Sequence, residues 1–192
     1  MAGSNTEDIF KIRRPGRRYR KTLDFLRKSI GQHERILDLG VRNPFSVIME
    51  QAGFQVANTQ GEDLDLHPDI GSRYQFTCIT SFEVFEHLLA PYNLLSQVQP
   101  PPGGKITLVA SVPLKVWFAK AYWNKNDPWD RHYHEFEPRQ FDWLLDKAGW
   151  RIVKSETWTS PARITAGIRP FLRFFWPSYY LVHAEKVDTF QR

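Results

Sequence analysis

Between residues 35 and 112, short apolar runs alternate with stretches of helical periodicity, and this alternation limits the possible fold most tightly. Arg35 to Leu39 is a short run of buried type, Gly40 to Pro44 turns, and Phe45 to Ala52 has helical spacing closed by Gly53. Phe54 to Ala57 is a second run, Tyr74 to Thr80 a third and Lys105 to Val112 a fourth. A helix over Pro91 to Val98 and a turn over Pro100 to Gly104 precede the last of these. Strands separated by helices pair in parallel and are covered on both faces, so they read as near-continuous apolar runs. The expectation is an α/β fold around a mostly parallel sheet.

The flanks extend this pattern. Tyr19, Leu23, Leu26 and Ile30 recur at three to four residues and predict an amphipathic helix from Arg17 that ends at Gly31. Glu137-Pro138 opens another helix, with Phe141, Leu144 and Leu145 inward and Gly149 at its end. Trp150 to Trp158 and Tyr179 to Val187 read as two final strands. At 192 residues the chain is one domain by size. It divides into a basic N-terminal helix (1–31), a sheet half (35–112), an aromatic insertion (113–136) and a helix with a strand pair (137–192). Apolar residues at 42% and charged residues at 24% exclude a disordered or fibrous chain. Met1 to Asp8 is polar, and no apolar run approaches the roughly 20 residues of a membrane span. The reading is a cytoplasmic protein with no membrane span. Cys78, the only cysteine, lies in an apolar run and reads as packing.

Chemistry concentrates at Ser81-Phe82-Glu83-Val84-Phe85-Glu86-His87, directly after the third run. Open parallel sheets bind ligands at the carboxyl ends of their strands, where Glu83, Glu86 and His87 would project. A second dense cluster, Trp129 to Phe136, holds His132 and His134. Trp117, Phe118, Tyr122 and Trp123 would form either a cover over the strand ends or a small satellite core. The stretch from Arg169 to Trp176 mixes arginine with aromatics, a composition that suits contact with a membrane surface or a lipid-linked substrate. The net charge of +5 is concentrated around Arg13, Arg14, Arg17, Arg18, Arg20 and Lys21, a solvated helix face or a phosphate footprint.

These residues resemble the class I S-adenosylmethionine-dependent methyltransferases. Arg35-Ile36-Leu37-Asp38-Leu39-Gly40 looks like that family's first motif, Ser81 to His87 like the motif after its fourth strand, and Pro102-Gly103-Gly104 like the turn before its fifth. The resemblance implies a Rossmann-like three-layer sandwich, with a mostly parallel seven-stranded sheet and a C-terminal antiparallel strand. It also implies S-adenosylmethionine as cofactor, held by Asp38, Gly40, Asn58, Asp63, Ser81, Phe82 and Glu83. The chain departs from the family where Val41-Arg42-Asn43-Pro44-Phe45 replaces two further glycines, and where Asn58-Thr59 replaces an acid at the end of the second strand.

The reaction so implied is methyl transfer to an oxygen or nitrogen acceptor, a small-molecule or glycan-type substrate, with His87 and His134 as candidate catalytic bases. Glu83, Glu86, His87 and His134 also match the Glu-x-x-Glu-His arrangement, with a later histidine, of metal-dependent small-RNA ribose 2′-O-methyltransferases. That match would make them ligands of a divalent metal ion and RNA the partner. A third reading is a non-catalytic binding module, in which the altered glycine loop has lost the cofactor.

Overall fold

A computed structural model describes residues 16–120, 122–159, 172 and 175–188 of the chain. Arg13 and Arg14 of the expected basic segment, and most of the stretch from Arg169 to Trp176, lie outside the described residues. The element order is α1 (Arg17–Ser29), β1 (Arg35–Asp38), α2 (Pro44–Gln51), β2 (Gln55–Asn58), α3 (Ile70–Arg73), β3 (Cys78–Phe82), α4 (Pro91–Gln97), β4 (Lys105–Pro113), α5 (Pro138–Lys147), β5 (Arg151–Trp158) and β6 (Tyr179–Val187). Phe85–His87 forms a short 3₁₀ turn after β3.

The strands lie in the order β2-β1-β3-β4-β6-β5. The pairs from β2 to β4 are parallel, and β6 runs antiparallel to both β4 and β5. Pleat alternation sends neighbouring residues to opposite faces. Ile36, Cys78, Val109 and Leu181 face Leu23, Phe25 and Leu26 of α1 and Phe45, Ile48 and Met49 of α2. Leu37, Ile79, Leu108 and Val182 face Ile70, Leu94, Leu95, Phe141 and Leu145 on the other side. The expected three-layer sandwich results, and each large apolar side chain so buried contributes about 1.5–3 kcal/mol.

The sheet has six strands among the described residues, one fewer than the resemblance implies. Between β2 and β3 the chain makes turns instead. The Asp65 amide donates to the Asp63 carboxylate at 2.9 Å, the His67 amide to the Asp63 carbonyl at 2.8 Å, and the Ser72 amide to the Asp69 carbonyl at 3.0 Å. Backbone groups satisfied locally in this way are not offered to a neighbouring strand.

Candidate active site

Because β1 is followed by β2 on one side and lies against β3 on the other, a crevice opens at the carboxyl ends of β1 and β3. Asp38 closes β1 and is almost fully buried. Its carboxylate accepts hydrogen bonds from Thr80 Oγ1 at 2.7 Å, Ser46 Oγ at 3.0 Å and Asn58 Nδ2 at 3.0 Å. Burial pushes its pKa up to about 6 against the opposing pull of those three bonds. Asp38 therefore acts as the rivet joining β1, β2, β3 and the start of α2.

The loop after β1 is largely satisfied from within. Gly40 sits at φ 104, a conformation that disfavours any side chain, and its amide donates to Thr59 Oγ1 at 2.7 Å. The Phe45 and Ser46 amides at the α2 N-terminus donate to Asn43 Oδ1, and Pro44 occupies the first helical position. Asn58 Nδ2 points inward to Asp38, to the Gly40 carbonyl at 3.2 Å and to Ser46 Oγ at 3.1 Å. The group Asn58 can present outward is thus an acceptor, its Oδ1. Asp63 is engaged in the turn after β2; of the expected cofactor residues, Asp38, Phe82 and Glu83 line the cleft, and Gly40, Asn58, Asp63 and Ser81 stand behind or beside it. Ser81 is fully buried, and its hydroxyl has no partner among the described residues.

Beyond β3 the backbone turns sharply at Glu83, whose φ of 61 is rare for a residue with a side chain. The Glu83 amide donates to the Ser111 carbonyl at 3.1 Å, and Ser111 Oγ donates to Glu83 Oε1 at 2.8 Å. Arg18 of α1 approaches Glu83 Oε2 at 3.7 Å. Burial raises the Glu83 pKa to about 6, while the Ser111 hydrogen bond and the Arg18 charge hold it down. Phe82 stands edge-on to Phe45 at 5.1 Å between ring centroids. Asp38, Leu39, Asn43, Phe45, Phe82, Glu83 and Ser111 line a cavity of about 300 Å³, which is closed by Arg18, Tyr19 and Thr22 of α1 and by Trp158 and Tyr179.

Tyr179 also lines a neighbouring cavity of about 160 Å³ with Lys115, Lys120, Tyr122, His132, His134 and Glu135. His134 stacks on Phe136 at 5.5 Å and sits 3.4 Å from the Leu89 carbonyl through Nε2. The expected ligand set of Glu83, Glu86, His87 and His134 is not brought together, because Glu83 turns to Ser111 and Arg18 while His134 turns to Leu89 and Phe136. Glu86, His87 and His132 converge instead, with one ligand atom from each within 4.8 Å of the others. Burial, then the charge of Glu83, holds the Glu86 carboxyl well above the usual range. Burial and the neighbouring His87 lower the His132 pKa.

A family model described as a methyltransferase domain matches residues 10–155, more than half of the chain. The chain belongs to the methyltransferase domain family. The resemblance read from the motifs to the class I S-adenosylmethionine-dependent enzymes is borne out. No curated protein matches the sequence. Among solved structures, the methyltransferase domain is similar to the 1,6-didemethyltoxoflavin-N1-methyltransferase of Burkholderia thailandensis with bound 1,6-didemethyltoxoflavin and S-adenosylhomocysteine. The TM-score is 0.60 and the identity 18%, over 95% of this chain and 84% of that one. An S-adenosylmethionine dependent methyltransferase from Archaeoglobus fulgidus matches with a TM-score of 0.57 at 16% identity, over 95% of this chain and all of that one. One from Mesorhizobium loti matches with 0.54 at 15%, over 85% and 96%. At these identities the likeness establishes the fold alone.

Sequence reasoning missed the part of the methyltransferase cleft that comes from the flanks: Arg18, Tyr19, Thr22, Ser111, Trp158 and Tyr179. Arg18, Tyr19 and Thr22 lie within four residues of one another on α1, so their shared face was visible as helical spacing. No local pattern marks Trp158 and Tyr179, which meet only when β5 and β6 pair.

Proposed function

We propose that this domain transfers the methyl group of S-adenosylmethionine to an oxygen or nitrogen of a small-molecule acceptor. The observation that carries the proposal is the cavity at the carboxyl ends of β1, β3 and β4, in a chain whose family is that of methyltransferases. At about 300 Å³ it falls within the range of ligand sites. The residues present fit the cofactor. Gly40 keeps the main chain bare beside Leu39, and a Cβ built there would meet nothing within 4 Å. Asn58 Oδ1 would accept from a cofactor hydroxyl, Phe82 would supply an apolar wall, and the Glu83 carboxylate would face a cation. Asp38 holds this frame, Asp63 shapes the adjoining turn, and Ser81 packs behind the wall.

Bound S-adenosylmethionine would supply an electrophilic methyl group on a sulfonium. The protein's part is placement of the acceptor, which can supply much of the acceleration, and removal of its proton. The 160 Å³ cavity beside Tyr179 suits a ring or a sugar unit, and His134 on its wall is the base we favour. His87 acts by position, its Nδ1 lying 3.1 Å from the Arg131 carbonyl. The small molecule named with the Burkholderia enzyme supports an acceptor of this class. RNA as acceptor drew on a four-ligand metal set that the geometry does not favour, and on a basic segment of which Arg13 and Arg14 lie outside the described residues. Arg42 pairs with Glu50 at 2.6 Å instead of filling the cleft, which weighs against a module that has lost its cofactor.

Calorimetric titration of the folded protein with S-adenosylmethionine and S-adenosylhomocysteine tests this function. Saturable one-to-one binding of either is expected; no binding of both would overturn it.

A further inference from the structure

Glu86 is fully buried, yet neither carboxylate oxygen has a hydrogen-bond partner among the described residues. Buried polar groups are nearly always paired, so each unpaired group needs an explanation, and two orphaned oxygens on one carboxylate need one doubly. Protonation alone does not resolve this, because the acceptor nearest a Glu86 hydroxyl, His87 Nε2 at 3.9 Å, lies beyond hydrogen-bond reach, and the second oxygen would stay unpaired. The deficit points towards the neighbouring imidazoles. His87 Nδ1 lies 3.1 Å from the Arg131 carbonyl. A carbonyl can only accept, so Nδ1 carries the proton and Nε2 of the neutral ring is a bare lone pair. That lone pair faces Glu86 Oε1 at 3.9 Å. With Glu86 ionised, the form a bound cation would favour, two electron-rich atoms face each other, a juxtaposition that the cation between them would make favourable.

His132 completes the group. Its ring stands edge-on to His87 at 4.8 Å between centroids. The main chain holds it there, because the Tyr133 and His134 amides both donate to the Glu86 carbonyl, at 2.8 and 3.2 Å, and the His132 amide donates to the Tyr122 carbonyl at 3.1 Å. The segment that carries one imidazole is therefore stitched to the residue that carries the carboxylate. We propose that Glu86, His87 and His132 form a binding site for a divalent first-row metal ion of the zinc or iron class.

The donor set of one carboxylate and two imidazoles suits such ions, and a histidine oriented through its second nitrogen by a backbone carbonyl is the usual support for a ligand. Ligand atoms around such an ion stand about 3–3.5 Å apart, so the three side chains close in modestly from their 4.8 Å spread. The site lies apart from the cofactor cleft, since none of the three residues lines it, and it does not rest on the proposed methyl transfer.

The test uses the full chain stripped with a chelator and dialysed, then titrated separately with Zn2+ and Co2+ by calorimetry, with the cobalt visible spectrum as a second readout. One equivalent is expected to bind, with cobalt bands showing nitrogen and oxygen ligands. Glu86→Gln and His132→Ala should each weaken binding at least tenfold, and His134→Ala should leave it within twofold. Circular dichroism of each variant distinguishes loss of ligands from loss of fold, and the half-buried His132 position keeps the test usable if Glu86→Gln fails to fold. Absence of stoichiometric binding overturns the proposal and leaves a bound water as Glu86's partner. Binding that survives His132→Ala, or that His134→Ala abolishes, overturns it equally.

Discussion

Arg18, from the first helix, and Glu83, from the end of β3, face each other at 3.7 Å in the wall of the cleft, tying an element outside the sheet to the turn at its centre. Glu83 is held by burial at a pKa of about 6, and the Ser111 hydrogen bond and the Arg18 charge keep it from rising further. Arg18→Ala should move the Glu83 titration midpoint upward from about 6, read by carboxyl-carbon NMR. A midpoint unchanged by the substitution would mean that the two side chains do not meet in solution.

Asp38 predicts a pH dependence of stability. Its folded pKa of about 6 stands above the ordinary 3.8, so between those values the folded state binds more proton than the unfolded state. Stability from this group is therefore full below about pH 4 and is lost as pH rises through 6. At about 1.4 kcal/mol per unit the loss is at most about 3 kcal/mol. Glu83, shifted in the same direction, adds to it. Urea denaturation of the parent and of Asp38→Asn at pH 4 and pH 7 checks this: the parent's stability relative to the variant should fall by about 2–3 kcal/mol across that interval. A flat difference would show that Asp38 ionises like an exposed acid.

Gly40→Ala separates backbone strain from cofactor contact. The new Cβ would meet nothing within 4 Å, so the cost to the fold is that of forcing φ 104 on an L-residue, about 1–2 kcal/mol. If the cofactor approaches the main chain here, S-adenosylhomocysteine affinity should fall at least tenfold in the folded variant. A drop in stability with unchanged affinity would remove Gly40 from the cofactor site.

The last carbonyls of α4 are satisfied from a distance. Lys186 Nζ donates to Leu95 O at 3.3 Å and Ser96 O at 3.1 Å, and Trp150 Nε1 to Leu95 O at 3.0 Å. Lys186→Met keeps the apolar stem but strips donors from a buried helix end, and should lower the unfolding free energy by about 1–3 kcal/mol. Chemical denaturation measures it, and a loss below about 0.5 kcal/mol would mean that water replaces the ammonium.

The parallel half of the sheet was legible because β1, β3 and β4 each carry a buried apolar run, and the Tyr179 to Val187 strand was read at its observed bounds. The third strand begins at Cys78, later than its run suggests. Tyr74 there closes α3 and donates its hydroxyl to Glu62 at 2.8 Å, an apolar residue used as a cap instead of in the pleat. The lining of the cavity was legible as far as Asp38, Phe82 and Glu83, whose positions follow from strand ends. Which histidine meets Glu86 was not legible, since motif order favours His134. The choice is made by two backbone amides, those of Tyr133 and His134, which grip Glu86 from 47 and 48 positions away and leave His132 to reach it. Such a clamp leaves no trace in residue types.

The insertion of β6 between β4 and β5 has a consequence for how the protein is made. Lys105 and Glu185, neighbours across that pairing, are 80 residues apart in the chain. While a ribosome is still delivering that interval, β4 presents a bare edge of unpaired amides and carbonyls, the kind of surface on which nascent chains aggregate. Tyr179, at the start of β6, belongs to the walls of both cavities, so neither can exist on the emerging polypeptide until this late strand slots in. Catalytic competence should thus arrive abruptly, and slow the slotting by its high contact order.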